Sequence, residues 1–242
     1  MAGEESTRAR VVAVVLAAGA STRMDGTDKI FAPLGGRPLI FYSLALFEGC
    51  AEVDGVVVVG AAGAEEKLRD TASAFGFKKV RAVVTGGAER RDSAAAGLAA
   101  AEAFAEADAA VLIHDAARPL AGERLIARLL EKLGAAEGAV PAVPVTDTIK
   151  TVAEESGDVG ETLAREKLRA IQTPQAFKLA AIAAAYRAAQ AERWPVTDDA
   201  AALERAGGRV VTVAGEPDNF KITCPEDLVR AARVLEKRNL AP

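Results

Sequence analysis

Val11-Val12-Ala13-Val14-Val15-Leu16 runs straight into Ala17-Ala18-Gly19-Ala20-Ser21-Thr22-Arg23-Met24, and this junction decides the fold. An unbroken apolar run rich in β-branched residues suits a strand covered on both faces, because such side chains pack well on a pleated surface. Tiny residues directly after it let the main chain approach a ligand closely, and successive amides there can cradle an anion. Arg23 and then Lys29 stand at the mouth of that loop as available cations. The same residues also suit an ordinary tight turn from strand to helix. The spacing is neither Gly-x-Gly-x-x-Gly nor Gly-x-x-x-x-Gly-Lys-Ser/Thr, so a dinucleotide-cofactor fingerprint and a P-loop are both absent.

Arg8 and Arg10 before the apolar run Val11–Ala18 could imitate a cleaved leader. Glu4 and Glu5 spoil its basic start, and the β-branched content favours a buried strand. Downstream, further runs read as strands: Gly55–Val59, Val80–Val84, Ala110–Ile113, Ala139–Val145, Leu168–Gln172 and Arg209–Val213. Between them Pro38–Phe47, Glu65–Phe75, Asp92–Ala105, Glu123–Leu133, Leu179–Ala191, Thr197–Ala206 and Pro225–Lys237 read as helices. Alanine crowds these stretches, and Gly76, Gly134 and Gly207 sit where helices stop. Continuous strands alternating with helices imply an α/β protein with a mostly parallel sheet between helical layers. The stretch Thr146–Arg165 breaks the rhythm and reads as a polar hairpin extruded from the sheet. It is either a tolerated surface insertion or an arm that reaches over a site or another subunit.

Composition narrows the function. Thirty Lys+Arg against thirty-four Asp+Glu in 242 residues gives a net charge of −4, hence no global basic field for nucleic acid or an anionic membrane. Any polyanion must be held by a few local cations. Half the residues are hydrophobic, ample for a core, yet no apolar stretch approaches the ~20 residues that span a bilayer. One His and the two distant cysteines, Cys50 and Cys224, argue against a Cys/His zinc site, an iron–sulfur cluster or a disulfide scaffold, and point to a reducing cytoplasm.

Polar clusters follow the strands. Gly86-Gly87-Ala88-Glu89-Arg90-Arg91-Asp92-Ser93 opens a helix with a glycine pair whose N–H groups can read a base edge or hold a phosphate, or simply make a capped turn. His114-Asp115-Ala116-Ala117-Arg118-Pro119 ends the fourth strand, where ligands and metals gather in such sheets, so Asp115 is a candidate Mg²⁺ ligand. His114 reads as a packing or hydrogen-bonding residue, since no nucleophile motif accompanies it. Asp147-Thr148-Ile149-Lys150, Gln172-Thr173-Pro174-Gln175, Thr197-Asp198-Asp199 and Asp218-Asn219-Phe220-Lys221 are each weak alone. Together they would ring one end of one sheet with polar groups.

These motifs resemble a known family. Leu-Ala-Ala-Gly-x-x-x-Arg-Met followed by a lysine resembles the opening of nucleotidyltransferases that act on phosphorylated small molecules. His-Asp-Ala-Ala-Arg-Pro, Asp-Thr-Ile-Lys, Gln-Thr-Pro-Gln-Ala-Phe, Thr-Asp-Asp-Ala and Asn-Phe-Lys-Ile-Thr-x-Pro-Glu-Asp-Leu, in that order from about Val11 to Lys237, are similar to the 2-C-methyl-D-erythritol 4-phosphate cytidylyltransferase family. The resemblance implies a single three-layer Rossmann-like domain over residues 1–242, with an arm at about 146–166. It implies transfer of CMP from CTP to 2-C-methyl-D-erythritol 4-phosphate with Mg²⁺, releasing pyrophosphate.

Residue by residue, it assigns Arg23 and Lys29 to the triphosphate and the transition state. Ala17, Ala18, Gly19, Ser21 and Thr22 fall around the nucleotide, with Gly87, Ala88 and Ser93 reading cytosine. Asp115 and Ala116 fall near ribose and acceptor. Arg118, Thr148, Arg165, Thr173, Thr197 and Lys221 fall on the acceptor, with Thr148 and Arg165 offered across a homodimer by the arm. Two departures stand out: Asp28-Lys29-Ile30 replaces the family's usual Pro-Lys-Gln, and Ala88 replaces an acidic residue. The nearest rival acceptor is D-ribitol 5-phosphate, and Ala116-Ala117 favours methylerythritol phosphate. A related sugar-phosphate nucleotidyltransferase using another nucleotide is the second rival; a non-catalytic nucleotide-binding protein and a nicotinamide-dependent dehydrogenase are the more distant readings, the last disfavoured by its missing glycine fingerprint.

Overall fold

The computed structural model describes residues 10–19 and 29–238. The apolar opening run is the central strand β1 (Val11–Ala17), buried along its whole length. Parallel neighbours flank it, β4 (Gly55–Gly60) on one side and β6 (Ala110–Asp115) on the other. β5 (Val80–Thr85) adds to β4, again in parallel, and ends the sheet there. With β4 its one strand neighbour among the described residues, β5 is half-buried, unlike the strands in the middle.

The other half of the sheet is mixed. β7 (Gly138–Pro144) pairs in parallel with β12 (Val210–Ala214). Along its opposite edge run two antiparallel pieces, β10 (Arg169–Ile171) and β11 (Gln175–Lys178), and β11 also pairs antiparallel with β6. Sequence reasoning missed β11: Thr173-Pro174 reads as a loop, and only the closing gap between β6 and β7 makes a strand of the four residues after it.

Side-chain alternation on β1 divides the core. Val11, Ala13 and Val15 face α1 (Leu39–Gly49), α2 (Glu65–Ala74) and α4 (Glu123–Lys132). Val12, Val14 and Leu16 face α3 (Arg90–Glu102), α5 (Leu179–Ala191) and α6 (Asp199–Arg205). That is the three-layer α/β arrangement. Gly97 allows α3 its close approach, since a Cβ there would stand 2.4 Å from Val14 Cγ1 and 2.8 Å from Val59 Cγ2.

A third cluster joins the short hairpin of β2 (Pro33–Leu34) and β3 (Arg37–Pro38) to α7 (Pro225–Lys237) through Leu34, Tyr42, Leu120, Ile222 and Leu235. The stretch 146–165 holds the antiparallel pair β8 (Lys150–Val152) and β9 (Val159–Thr162), exposed throughout. Helix ends depart from expectation in places. Helix α6 starts at Asp199 rather than Thr197 because Asp198 is its N-cap, its carboxylate accepting from Ala201 N at 2.9 Å. Helix α3 starts at Arg90 rather than Asp92, since Asp92 serves the capping box at Glu89.

Candidate active site

β1 leads onward to β4 and β5 on one side, while β6 lies on the other. The crevice beyond the carboxyl ends of β1 and β6 is therefore a topological switch point, where open α/β sheets bind ligands. A cleft of about 270 Å³ occupies it. Ala18 and Gly19 floor it after β1, Gly87 and Ala88 wall it after β5, and Asp115 rises from the end of β6. Lys29 and Lys221 enter from opposite parts of the chain. Ser21, Thr22 and Arg23, expected here, lie outside the described residues.

Each of the two lysines is carried by anchored backbone. Lys29 opens a single 3₁₀ turn, Lys29–Phe31, in which Ala32 N donates to the Lys29 carbonyl at 3.1 Å and Ile30 is buried. Lys67 Nζ sits 3.6 Å from the centre of the Phe31 ring, a cation–π contact that pins the turn to α2. Lys221 is brought to the cleft by Ile222, whose N donates to the Ala117 carbonyl at 2.8 Å and whose side chain is buried in the third cluster.

Asp115 is the electrostatic centre. Its Oδ2 accepts from Lys221 Nζ at 2.8 Å, and its Oδ1 lies 3.3 Å from Arg90 Nη2. Burial alone would raise its pKa, but Arg90 and Lys221 together outweigh that and hold the carboxyl well below the usual range. Among the described residues no three His, Cys, Asp or Glu side chains gather as a metal cage. Both oxygens of Asp115 face cations, so it would join a Mg²⁺ ion only together with substrate phosphate oxygens, once Lys221 passes from it to a phosphate. Arg90 went unassigned in the sequence because it sits in a run, Glu89-Arg90-Arg91-Asp92, that reads as a solvated helix start. Of its partners, Asp199 lies in the Thr197-Asp198-Asp199 cluster, which reads as a helix start, and Tyr186 is unmarked by spacing.

Behind Asp115 lies a buried relay. Asp115 N donates to Thr173 Oγ1 at 3.0 Å, and Thr173 Oγ1 is 3.1 Å from His114 Nδ1. His114 Nε2 is 3.2 Å from the Arg118 carbonyl, which can only accept. The proton therefore belongs on Nε2, Nδ1 accepts from the Thr173 hydroxyl, and every group in the chain is satisfied. Burial drops the His114 pKa to about 4, so the imidazole is neutral near pH 7. Thr173 was expected on the acceptor; the structure turns it inward as a strut.

Other expected residues divide. Ser93, also buried, accepts from Gly87 N at 3.2 Å and donates to the Glu89 carbonyl, so it ties down the glycine loop. The glycine pair is needed for close approach: a Cβ on Gly86 would stand 2.6 Å from Ala18 Cβ, and one on Gly87 2.2 Å from Asp92 Cβ. Ala116 is fully buried, its N bonded to the Leu16 carbonyl and its carbonyl to Ser43 Oγ. Ala17 is buried at the end of β1.

Arg118 donates to the Asn219 carbonyl at 2.8 Å, while its Nε is buried without a partner and it forms no ion pair among the described residues. Burial lowers its pKa. Thr197 is exposed ahead of α6. Thr148 and Arg165 sit on the exposed arm, where Arg165 Nη1 donates to the Thr146 carbonyl at 2.6 Å, and neither lines the cleft of its own chain.

Comparison with known proteins follows the same outline. The chain matches the family described as "IspD: 2-C-methyl-D-erythritol 4-phosphate cytidylyltransferase" over residues 11–237. A protein of that name from Halalkalibacterium halodurans is 42% identical over 226 residues, covering 93% of this chain and 96% of that one. Another, from Geotalea uraniireducens, is 43% identical and covers 95% and 98%. The crystal structure of the Thermus thermophilus protein of the same name superposes with a TM-score of 0.74 at 34% identity, covering 92% of this chain and 98% of that one.

Proposed function

The chain belongs to the 2-C-methyl-D-erythritol 4-phosphate cytidylyltransferase family, and from that premise we propose how its cleft carries the reaction. The family's reaction joins CMP from CTP to 2-C-methyl-D-erythritol 4-phosphate, giving 4-diphosphocytidyl-2-C-methyl-D-erythritol and pyrophosphate. This acceptor stands over D-ribitol 5-phosphate because the relatives carry it in their names.

The chemistry asks for no general base. The acceptor phosphate is itself an ionised nucleophile: one of its oxygens attacks the α-phosphorus, and the bond to pyrophosphate breaks opposite it. The obstacle is repulsion between two polyanions, then charge on the leaving group. Positioned cations and amide dipoles lower both. Lys29 and Arg23 serve the triphosphate. Gly87, Ala88 and the Ser93-tied loop hold the base, and Ala18 and Gly19 let the phosphates lie against the main chain. Lys221 meets the acceptor phosphate, exchanging Asp115 for it. Arg118 is assigned to the acceptor side, a role supported by its buried Nε, which has no hydrogen-bond partner among the described residues. Thr197 extends the same wall, and Thr173 acts through Asp115 rather than by contact. A Mg²⁺ ion, where bound, would be held by Asp115 with substrate phosphate oxygens and would offset the phosphate charge, with the cytoplasm as the setting.

The arm works between subunits. Val152 and Val159 on it are 60% and 65% exposed, apolar surface that favours cover by a second copy. Thr148 and Arg165 then reach the partner's acceptor in a homodimer.

The observation that carries the proposal is the convergence of Lys29, Lys221 and Asp115 on one cleft at the switch point. Steady-state pyrophosphate release with CTP and the acceptor tests it. Lys29→Ala and Arg23→Ala are expected to lower kcat, and Arg165→Ala to raise the acceptor KM. Mixing Lys29→Ala protein with Arg165→Ala protein is expected to restore, at low acceptor concentration, a rate that neither reaches alone. The reverse kinetic assignment, or no restoration after subunit exchange, would refute the roles.

A further inference from the structure

Arg90 is a cleft cation to which sequence reasoning assigns no role. It opens α3, and its guanidinium spans two carboxylates. Nη1 and Nη2 donate to Asp199 Oδ1 and Oδ2 at 2.9 and 2.7 Å. Nη2 and Nε lie 3.3 and 3.4 Å from Asp115 Oδ1. Asp199 is completely buried, and the Tyr186 hydroxyl, from α5, donates to its Oδ1 at 2.5 Å. The bidentate face of the fork is thus committed to a fixed anchor, and its remaining edge is left for Asp115.

Asp115 is shared. One oxygen faces Arg90 and the other faces Lys221, at 2.8 Å from Nζ. Two cations and two carboxylates form a nearly neutral set, in which the attraction of Asp115 is divided between a tethered guanidinium and an exposed lysine. Lys221 is the member free to leave, because its head group reaches the open cleft while Arg90 is clamped from behind.

We infer that Arg90, tethered by Asp199 and Tyr186, is a positioning residue: by occupying one oxygen of Asp115 it sets how firmly the other retains Lys221, and so how readily Lys221 passes to a substrate phosphate. This rests on the reading that Lys221 meets the acceptor phosphate. Without the charge of Arg90, Asp115 keeps Lys221 as its one direct ion-pair partner among the described residues and grips it, and transfer to substrate becomes harder. Without the charge of Asp199, the whole of Arg90 turns on Asp115 and Lys221 is loosened. The two changes push the acceptor affinity in opposite directions, which simple loss of a structural brace does not do.

The experiment measures kcat, both KM values and the thermal midpoint for the full-length protein carrying Arg90→Met, Asp199→Asn, Tyr186→Phe or Lys221→Ala. Arg90→Met is expected to raise the acceptor KM roughly fivefold to tenfold, the scale of a half-buried ion pair. Asp199→Asn is expected to lower it about twofold even with some loss of thermal stability. Tyr186→Phe leaves Asp199 a stronger rival for Arg90, so it raises the acceptor KM and serves where the Asn variant fails to fold. Arg90→Met and Asp199→Asn both raising that KM, or Tyr186→Phe lowering it, would overturn the inference alone. An unchanged acceptor KM in Lys221→Ala would overturn the reading of Lys221, and the inference with it.

Discussion

Thr173→Val replaces a hydroxyl with a methyl of nearly the same size at a site that is 5% exposed. Packing volume is kept, and the change falls on two buried hydrogen bonds. Asp115 N, at 3.0 Å, loses its acceptor, and His114 Nδ1, at 3.1 Å, loses its donor. Each stranded buried group costs about 1–3 kcal/mol, so the pair costs roughly 2–6 kcal/mol. That is a large part of a total stability of about 5–15 kcal/mol. Thr173→Ser keeps the hydroxyl and drops a methyl, for about 1 kcal/mol. Urea unfolding at neutral pH compares the two, read as midpoint shifts at constant slope. The chain contains a single histidine, so its imidazole resonances report on His114 without ambiguity. They are expected to shift in the Val variant and hold in the Ser variant. Equal midpoints for the two variants, with an unmoved imidazole, would refute the relay.

Stability should also depend on pH in two separable windows. His114 titrates near 4 when folded and near 6.5 when unfolded, so the unfolded chain binds its proton first. Stability is complete above about pH 6.5 and falls by about 3 kcal/mol toward pH 4, and His114→Gln should flatten that slope in pH-dependent urea titrations. Asp115 has a folded pKa below its unfolded value, so its contribution is present above about pH 3.9 and is lost below that. Gly97→Ala, driving a methyl to 2.4 Å from Val14 Cγ1, is expected to destabilise by about 1–3 kcal/mol in thermal unfolding, with KM values unchanged. Gly86→Ala forces the glycine loop off Ser93 and Ala18, and should raise the CTP KM more than that of the acceptor.

Much of the architecture was legible because burial writes itself into residue type. Val11–Leu16, Gly55–Val59 and Ala110–Ile113 are continuous and β-branched since each strand has helices on both faces and strands on both edges. The hairpin within 146–165 was visible as a polar interruption with a Glu-Glu-Ser-Gly-Asp turn. β11 was not, because a strand of four residues after a proline carries no periodic signal and exists through its partners β6 and β7. Lys29, Asp115 and Lys221 were legible as cleft residues from their motifs. The inward turn of Thr173 was hidden, since a threonine that touches a ligand and one that braces a backbone look alike in one dimension.

Sequence alone determined which residue types end the strands, and hence that cations, small residues and one carboxylate would gather at the sheet's carboxyl edge. That follows from local chemistry, in which strand burial and turn composition are properties of neighbours along the chain. Tertiary structure decided how those groups divide their charge. Arg90 meets Asp199 across 109 positions, and Lys221 meets Asp115 across 106. Coulomb attraction and desolvation depend on distances in space that no spacing along the chain encodes.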